Sequence, residues 1–372
     1  MDWRDIKLVK NETFALINVL QKIDENGSEI ITRGFEQKEI LSNLEIIEKP
    51  DERVIVLKHR NNNIFALIAE TLWVLGGRDD LDFLQHYLPR AAEFSDDGKV
   101  WRAAYGPRLR NWYGVDQFKE VARLINQDEN TKRAAMIIYD PAKDYIETKD
   151  VPCNNWLHFM ARDGKLNLNV SVRANDAIWG FGGINMFEWS FLHEMMSFWT
   201  KKEVGKLSWF TGTIHVYSRH YQTASKILES FEGKTLYDFG FQSPRFSTPL
   251  EKFDPLMDNV FKLESQMRKN PSLDIIDEIN KIDDELIQQS MFMLLIYNFY
   301  KNGCSKNTLI DLVLQLPRSD FKIAAIEYFT RRFDDKELFL LTGNEKEFFD
   351  YYWSNEEDSV LERNVGDLAY AK

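Results

Sequence analysis

Only two cysteines, Cys153 and Cys304, occur in the 372 residues. One of them is placed for chemistry. Cys153 follows Pro152 directly and precedes an apolar strand pattern, and Arg173 closes the partner strand of the same hairpin. A thiolate is the reactive form of cysteine. A guanidinium beside it favours that form and grips anions such as phosphate. The pair reads as a nucleophile next to an anion site. A second candidate is Glu70, a lone carboxylate in a segment that is otherwise apolar nearly all round, a setting from which a carboxyl can relay protons. Taken alone, a buried cysteine is usually just a small hydrophobe. Cys304, in the loop Lys301-Asn302-Gly303-Cys304, reads as non-catalytic.

The elements that must hold these residues follow from periodicity. A helix is expected from about Ile64 to Leu75, with Asn61, Asn62 and Asn63 as cap candidates and Gly76-Gly77 as its stop. Residues Ala134 to Tyr139 read as a buried strand and Trp156 to Ala161 as another. Asp163-Gly164 signals a hairpin turn. The next strand alternates, with Leu166, Leu168, Val170 and Val172 on one face and Asn167, Asn169, Ser171 and Arg173 on the other. A second helix is expected from about Asn185 to Trp199, then a strand from Leu207 to Tyr217 in which His215 and Tyr217 share a face. Residues 1–60 mix short polar and apolar pieces, with a turn at Glu25-Asn26-Gly27-Ser28. Beyond about residue 250 the pattern turns to helices and acidic linkers, such as Asp274 to Met293 and Thr308 to Leu316. The expected division is 1–250 as a catalytic unit and 251–372 as a helix-rich extension packed on it.

Bulk properties narrow the classes. Hydrophobic residues make up 44% and charged residues 28%, the balance of a globular enzyme, and aromatics reach 13%. A net charge of −12 disfavours binding to nucleic-acid polymers, although a local arginine cluster still suits one small phosphate. Two distant cysteines make no disulfide framework and point to a reduced compartment. Met1-Asp2-Trp3-Arg4-Asp5 lacks the features of a signal peptide. The apolar run Met291 to Tyr300 is too short to span a bilayer and reads as core or dimer contact. A cytoplasmic protein without membrane partners is expected. The six histidines show no metal-ligand spacing.

Several segments together resemble the thymidylate synthase family, which includes the pyrimidine nucleotide hydroxymethylases. Cys153 after Pro152 matches the family nucleophile. Arg173-Ala174-Asn175-Asp176 matches the Arg-x-x-Asp signature, with Gly180 after it. His215-Val216-Tyr217 matches the ribose-binding His-x-Tyr. Tyr105-Gly106-Pro107-Arg108-Leu109-Arg110 matches Tyr-Gly-x-x-x-Arg. Lys132-Arg133 resembles the basic pair that reaches the neighbouring subunit's phosphate. Glu70-Thr71-Leu72-Trp73 resembles the helix of the catalytic glutamate, and Arg33-Gly34 the N-terminal phosphate-binding arginine. These matches run in order over roughly residues 30 to 220.

The resemblance implies an α/β (α+β) fold, a mixed twisted sheet with surrounding helices, and a homodimer. It implies one-carbon transfer from 5,10-methylene-tetrahydrofolate to carbon 5 of a pyrimidine nucleoside monophosphate. It assigns Cys153, Glu70, Tyr105 and Asn154 to catalysis. Arg33, Lys132, Arg133, Arg173, Ala174, Asn185, His215 and Tyr217 fall to the nucleotide, and Asp176, Trp73 and Gly180 to the folate.

The chain also departs from the pattern. Asn154 stands where thymidylate synthases often have histidine. Ala174 replaces a phosphate-binding serine, a hydrogen bond worth about 1.5–3 kcal/mol if uncompensated. Asn185 lies five residues after Gly180 rather than four, so either one residue is inserted or Ile184 takes its place. The closing C-terminal tail is unrecognisable in Gly366-Asp367-Leu368-Ala369-Tyr370-Ala371-Lys372. A polar Asn154 and the missing lid favour water reaching the methylene. The expected product is therefore a hydroxymethylated (deoxy)uridylate or (deoxy)cytidylate. The alternatives are a thymidylate synthase making dTMP, and a synthase-like scaffold without activity.

Overall fold

A seven-stranded mixed sheet organises the computed structural model, which describes residues 7–354. The expectations for Met1 to Asp5 and for the tail from Gly366 lie outside those residues. The strands are β1 Leu8–Val9, β2 Ser28–Thr32, β3 Phe35–Ile47, β4 Ala135–Ile137, β5 Asn154–Arg162, β6 Lys165–Asp176 and β7 Glu203–Tyr217. Their order is β1-β3-β7-β6-β5-β4, with β2 paired on β3. The expected mixed α/β architecture is present. β6 and β7 run parallel, and the Met186–Trp199 helix lies in the crossover between them. That arrangement brings the carboxyl ends of two neighbouring strands together, with Asp176 beside His215, the usual location of a ligand crevice.

The alternation read for β6 holds: Leu166, Leu168, Val170 and Val172 are all buried. Asp163 and Gly164 both take positive φ, 52° and 75°, and turn β5 into β6 as a two-residue hairpin. The first sixty residues hold more structure than expected. Asn11 caps a helix, Glu12–Asn26, by accepting from the Phe14 N–H at 3.2 Å. A long hairpin, β2 and β3, follows. Its two-residue turn is Arg33-Gly34, with φ of 51° and 82°. Arg33 therefore sits at a hairpin tip. The strand expected over Ala134 to Tyr139 is shorter, Ala135–Ile137.

The Ile64–Leu75 helix begins at Asn63, which accepts from the Ala66 N–H, and ends at Gly76. Arg110 Nη1 donates to the Leu75 carbonyl at 2.7 Å, so this arginine caps the helix end. The C-terminal helices Leu250–Lys269, Glu285–Lys301, Lys306–Gln315 and Asp320–Phe333 build on the same core. Phe65 fastens them, with ring centroids 5.3 Å from Tyr297, 5.0 Å from Tyr328 and 5.4 Å from Phe329. The Met291 to Tyr300 run thus belongs mostly to the core. No helix among the described residues is long and apolar enough to cross a membrane.

Candidate active site

Cys153 ends an irregular segment just before β5. Asn154 pairs with Val172, but the register then slips, and Trp156 rather than Asn155 faces Ser171. Such a bulge re-aims side chains at a strand end. Arg173 clasps the segment from β6. Its Nε donates to the Pro152 carbonyl at 2.9 Å and its Nη2 to the Val151 carbonyl at 3.0 Å. Nη2 also lies 3.7 Å from Cys153 Sγ. Backbone carbonyls hold the guanidinium without cancelling its charge, so the charge stays available to an anion. Gly212 on β7 is needed here, because a Cβ there would come within 2.7 Å of the Arg173 carbonyl.

The thiol is not activated in the isolated chain. Burial pushes Cys153 above its ordinary value. Arg173 and Arg33 pull it down and Asp150 pushes it up. The expectation that Arg173 lowers the thiol pKa gives the right sign for that one contribution, but desolvation outweighs it. Arg33 reaches the site from its hairpin tip, close enough to act on both Cys153 and Tyr217. Lys132 and Arg133 do not join it. Both are exposed at the other end of the sheet.

Asn154 is fully buried and both ends of its amide are used. Nδ2 donates to the Tyr105 hydroxyl at 2.8 Å, and Oδ1 accepts from the Trp189 indole at 3.0 Å. The polar group expected to favour water is thus consumed in holding Tyr105, whose own proton stays free to be donated. Trp73 is likewise placed away from the pocket. It is buried in the core and its N–H donates to the Asp80 carbonyl at 3.0 Å, leaving it no surface for a folate.

At the carboxyl end of β7, His215 is only 7% exposed and neither ring nitrogen has a hydrogen-bond partner among the described residues. Its ring packs edge-on to Tyr217, 4.8 Å between centroids. Burial lowers the pKa of His215, so it faces a ligand as a neutral ring, able to donate and accept. Asp176 Oδ1 accepts from the N–H groups of Ile178 and Trp179 at 2.7 and 3.0 Å. This cap leaves Oδ2 for another donor. Ala174 sits beside Thr213 of β7, whose hydroxyl donates to Glu39 at 2.5 Å.

The stretch Ala177–Asn185 carries the unusual spacing between Gly180 and Asn185. It is a wide, π-type turn broken at Gly182 and Gly183, where φ and ψ are −82°, 23° and −141°, −117°. Wide turns of this kind take up one extra residue. Asn185 still reaches Gly180: a Cβ there would sit 3.3 Å from Asn185 Oδ1 and 1.8 Å from Asn175 Oδ1. Asn185 therefore lies against the Gly180 backbone.

Glu70 keeps some exposure, yet burial pushes its carboxyl up to about 8. Close by is Glu188, which the sequence reading passed over. It is fully buried, neither oxygen has a hydrogen-bond partner, and burial together with Glu70 raises its pKa well above the usual range. A weaker form of the signal that marked Glu70 was present, since the mostly apolar Met186–Trp199 helix carries two carboxylates, Glu188 and Glu194.

Comparison with known proteins agrees with this geometry. The family model for thymidylate synthase matches residues 15–247. The chain belongs to the thymidylate synthase family. It is 30% identical over 356 residues to a deoxyuridylate hydroxymethyltransferase of Bacillus phage SP01, covering 87% of this chain and 93% of that protein. A deoxyuridylate hydroxymethyltransferase of Delftia phage PhiW-14 is 37% identical over 196 residues, 50% of this chain and 54% of that protein. A putative thymidylate synthase of Methanothermobacter thermautotrophicus is 26% identical over 213 residues, 57% of this chain and 92% of its own length. As a family member, the protein is an enzyme of the transferase type.

Proposed function

We propose that the protein adds a hydroxymethyl group to carbon 5 of dUMP, with methylene-tetrahydrofolate as co-substrate. One observation carries this reading: the resemblance to the Bacillus phage deoxyuridylate hydroxymethyltransferase extends over 87% of the chain, well past the family match that ends at residue 247. The C-terminal helices are thus shared with a hydroxymethyltransferase. The same limit supports a catalytic unit of 1–250 carrying a helix-rich extension of 251–372.

In this reading Arg173 and Arg33 hold the phosphate, and His215 and Tyr217 take the ribose hydroxyls. Asn185 reads the base against Gly180. The Cys153 thiolate gives its electron pair to carbon 6, and the ring π pair moves toward the 4-oxygen. Carbon 5 then becomes nucleophilic. Folate, when bound, supplies the one-carbon unit, and the free Oδ2 of Asp176 fits a donor on its ring. Tyr105, held by Asn154, would pass the carbon-5 proton on through water as the C–H pair forms the exocyclic methylene and the carbon–nitrogen bond to the folate breaks, the freed tetrahydrofolate nitrogen taking the proton. Water adds to the resulting exocyclic methylene, the electrons return to the ring, and the C6–S bond breaks to restore the Cys153 thiolate.

The open face of the sheet supports a homodimer. Ile137, Trp156, Ser171 and Phe210 form a cross-strand row in which the three apolar members are 52%, 38% and 43% exposed. Pairing two such faces would cover the row and let Lys132 and Arg133 reach the neighbour's phosphate. Mixing inactive Cys153→Ala with Arg133→Glu protein should then restore activity through hybrid sites; no recovery would remove the shared site.

The test of the function is incubation with dUMP, UMP, dCMP or CMP and methylene-tetrahydrofolate. The expected product is 5-hydroxymethyl-dUMP by mass spectrometry, without the absorbance rise of dihydrofolate. Formation of dTMP with dihydrofolate would overturn it.

A further inference from the structure

Glu188 has no role in that scheme, although it is buried beside residues that do. Its side chain is 0% exposed and neither oxygen meets a partner among the described residues. No ion pair or hydrogen bond offsets the desolvation of such a carboxyl, and groups left this way gather where a ligand will meet them. Its position fits that explanation. Glu188 lies three residues after Asn185, so the two share a helix face. Trp189, the next residue, starts the hydrogen-bonded chain through Asn154 to Tyr105. Glu70 acts on Glu188 from the Ile64–Leu75 helix, and Glu188 in turn acts on Tyr105. No cation acts on it. Burial first, and then the like charge of Glu70, keep it in its neutral form.

Resting on the reading of dUMP and of Asn185 above, we propose that Glu188 is a second base-reading residue, whose neutral carboxyl donates a hydrogen bond to the 4-oxygen of uracil. In cytosine the same position carries an amino group. The hydroxyl would then face a donor, and only the carbonyl end of the carboxyl could meet the amino group. Sites that mispair a buried polar group reject the wrong ligand strongly. The donor also serves the chemistry. The 4-oxygen gains negative charge as Cys153 adds to carbon 6, and a neutral carboxyl in an apolar site is a good donor to such an oxygen.

Equilibrium dialysis tests this with dUMP and dCMP, each against wild type, Glu188→Gln and Glu188→Met, alongside thermal melts. A glutamine amide keeps a donor and an acceptor in the shape of the neutral carboxyl, so Glu188→Gln should hold the dUMP over dCMP preference within about threefold. Glu188→Met should weaken dUMP without gaining dCMP. Both variants should melt at or above the wild-type temperature, since an unpartnered carboxyl has been removed. An unchanged preference in both variants overturns the proposal, and so does a variant that melts well below wild type. A wild type that itself prefers dCMP overturns the dUMP reading, whereas a dUMP-preferring wild type with equally selective variants removes Glu188 alone.

Discussion

Two buried polar regions of this protein are built from the same residue types and behave differently. Beneath the C-terminal helices, Arg53 donates from Nε to Ser190 at 3.0 Å and from Nη2 to Glu194, whose other oxygen accepts from the Phe246 N–H at 3.0 Å. Asp320 accepts from Tyr237 at 2.9 Å and from Ser243. In the pocket, Glu188 and His215 have no such partners. The consequence shows in two carboxyls that both suffer burial. Asp320, with Ser243, Arg53 and Tyr237 favouring its charged form, rises only to about 6; Glu70, with burial as its sole cause, rises to about 8. Satisfied charges hold the fold together, and unsatisfied ones wait for a ligand. The first region is not perfectly satisfied: Arg53 Nη1 and Asp320 Oδ1 lack a hydrogen-bond partner, and burial pushes Glu12, beside Arg53 and Ser190, well above the usual carboxylate range.

The largest effect expected from breaking this contrast is chemical. Cys153→Ala should abolish tritium release from carbon 5 of labelled dUMP, a loss of roughly four orders of magnitude or more as for other nucleophile deletions. The melting temperature should hardly move, because the thiol has no hydrogen-bonded role in the fold beyond its contact with Arg173. The mirror-image experiment is Glu194→Ala. It removes the carboxylate bonded to the buried Arg53, leaving it only the Ser190 hydroxyl and the charges of Asp320 and Asp51, and should cost about 3 kcal/mol in urea unfolding. The protein that remains folded should keep its turnover number. If Glu194→Ala instead slowed turnover with little change in stability, the assignment of the two regions would be reversed.

Much of the pocket could be read from local patterns. Cys153, Arg173, His215 and Tyr217 sit at the ends of strands whose alternation is plain, and the Asp163-Gly164 turn sets the hairpin between two of them. What escaped was set by non-local partners. Asn154 looked like a free polar group because Tyr105 and Trp189, which occupy its amide, lie 49 and 35 residues away. Trp73 neighbours Glu70 in sequence, but only the packed core shows that its indole is enclosed. The β2–β3 hairpin was missed because Arg33-Gly34 supplies its turn in place of Asn-Gly or Asp-Gly, and because Glu36, Gln37, Lys38 and Glu39 mask the strand. Glu188 was hidden in a helix so apolar that it read simply as core.

The smaller effects concern Glu70, where function and stability should oppose each other. Glu70→Gln keeps the shape but cannot pass a proton, and kcat should fall by about 10²–10⁴-fold. Stability should move the other way, and only in one pH window. The folded protein keeps the Glu70 proton up to about pH 8, while the unfolded chain gives it up near the ordinary value of 4.5. Between those values the folded state binds more protons, so its stability falls as pH rises. Below the lower value both states are protonated and the glutamine variant gains nothing; above about 8 the difference is constant. Urea midpoints of wild type and Glu70→Gln should therefore coincide near pH 4 and separate steadily toward pH 8, with the variant the more stable. Glu188 has the same sign of shift, so the variant should keep a residual downward slope of its own. Midpoints that stay parallel across the window would mean that Glu70 is solvated in solution and belongs with the satisfied region, not with the pocket.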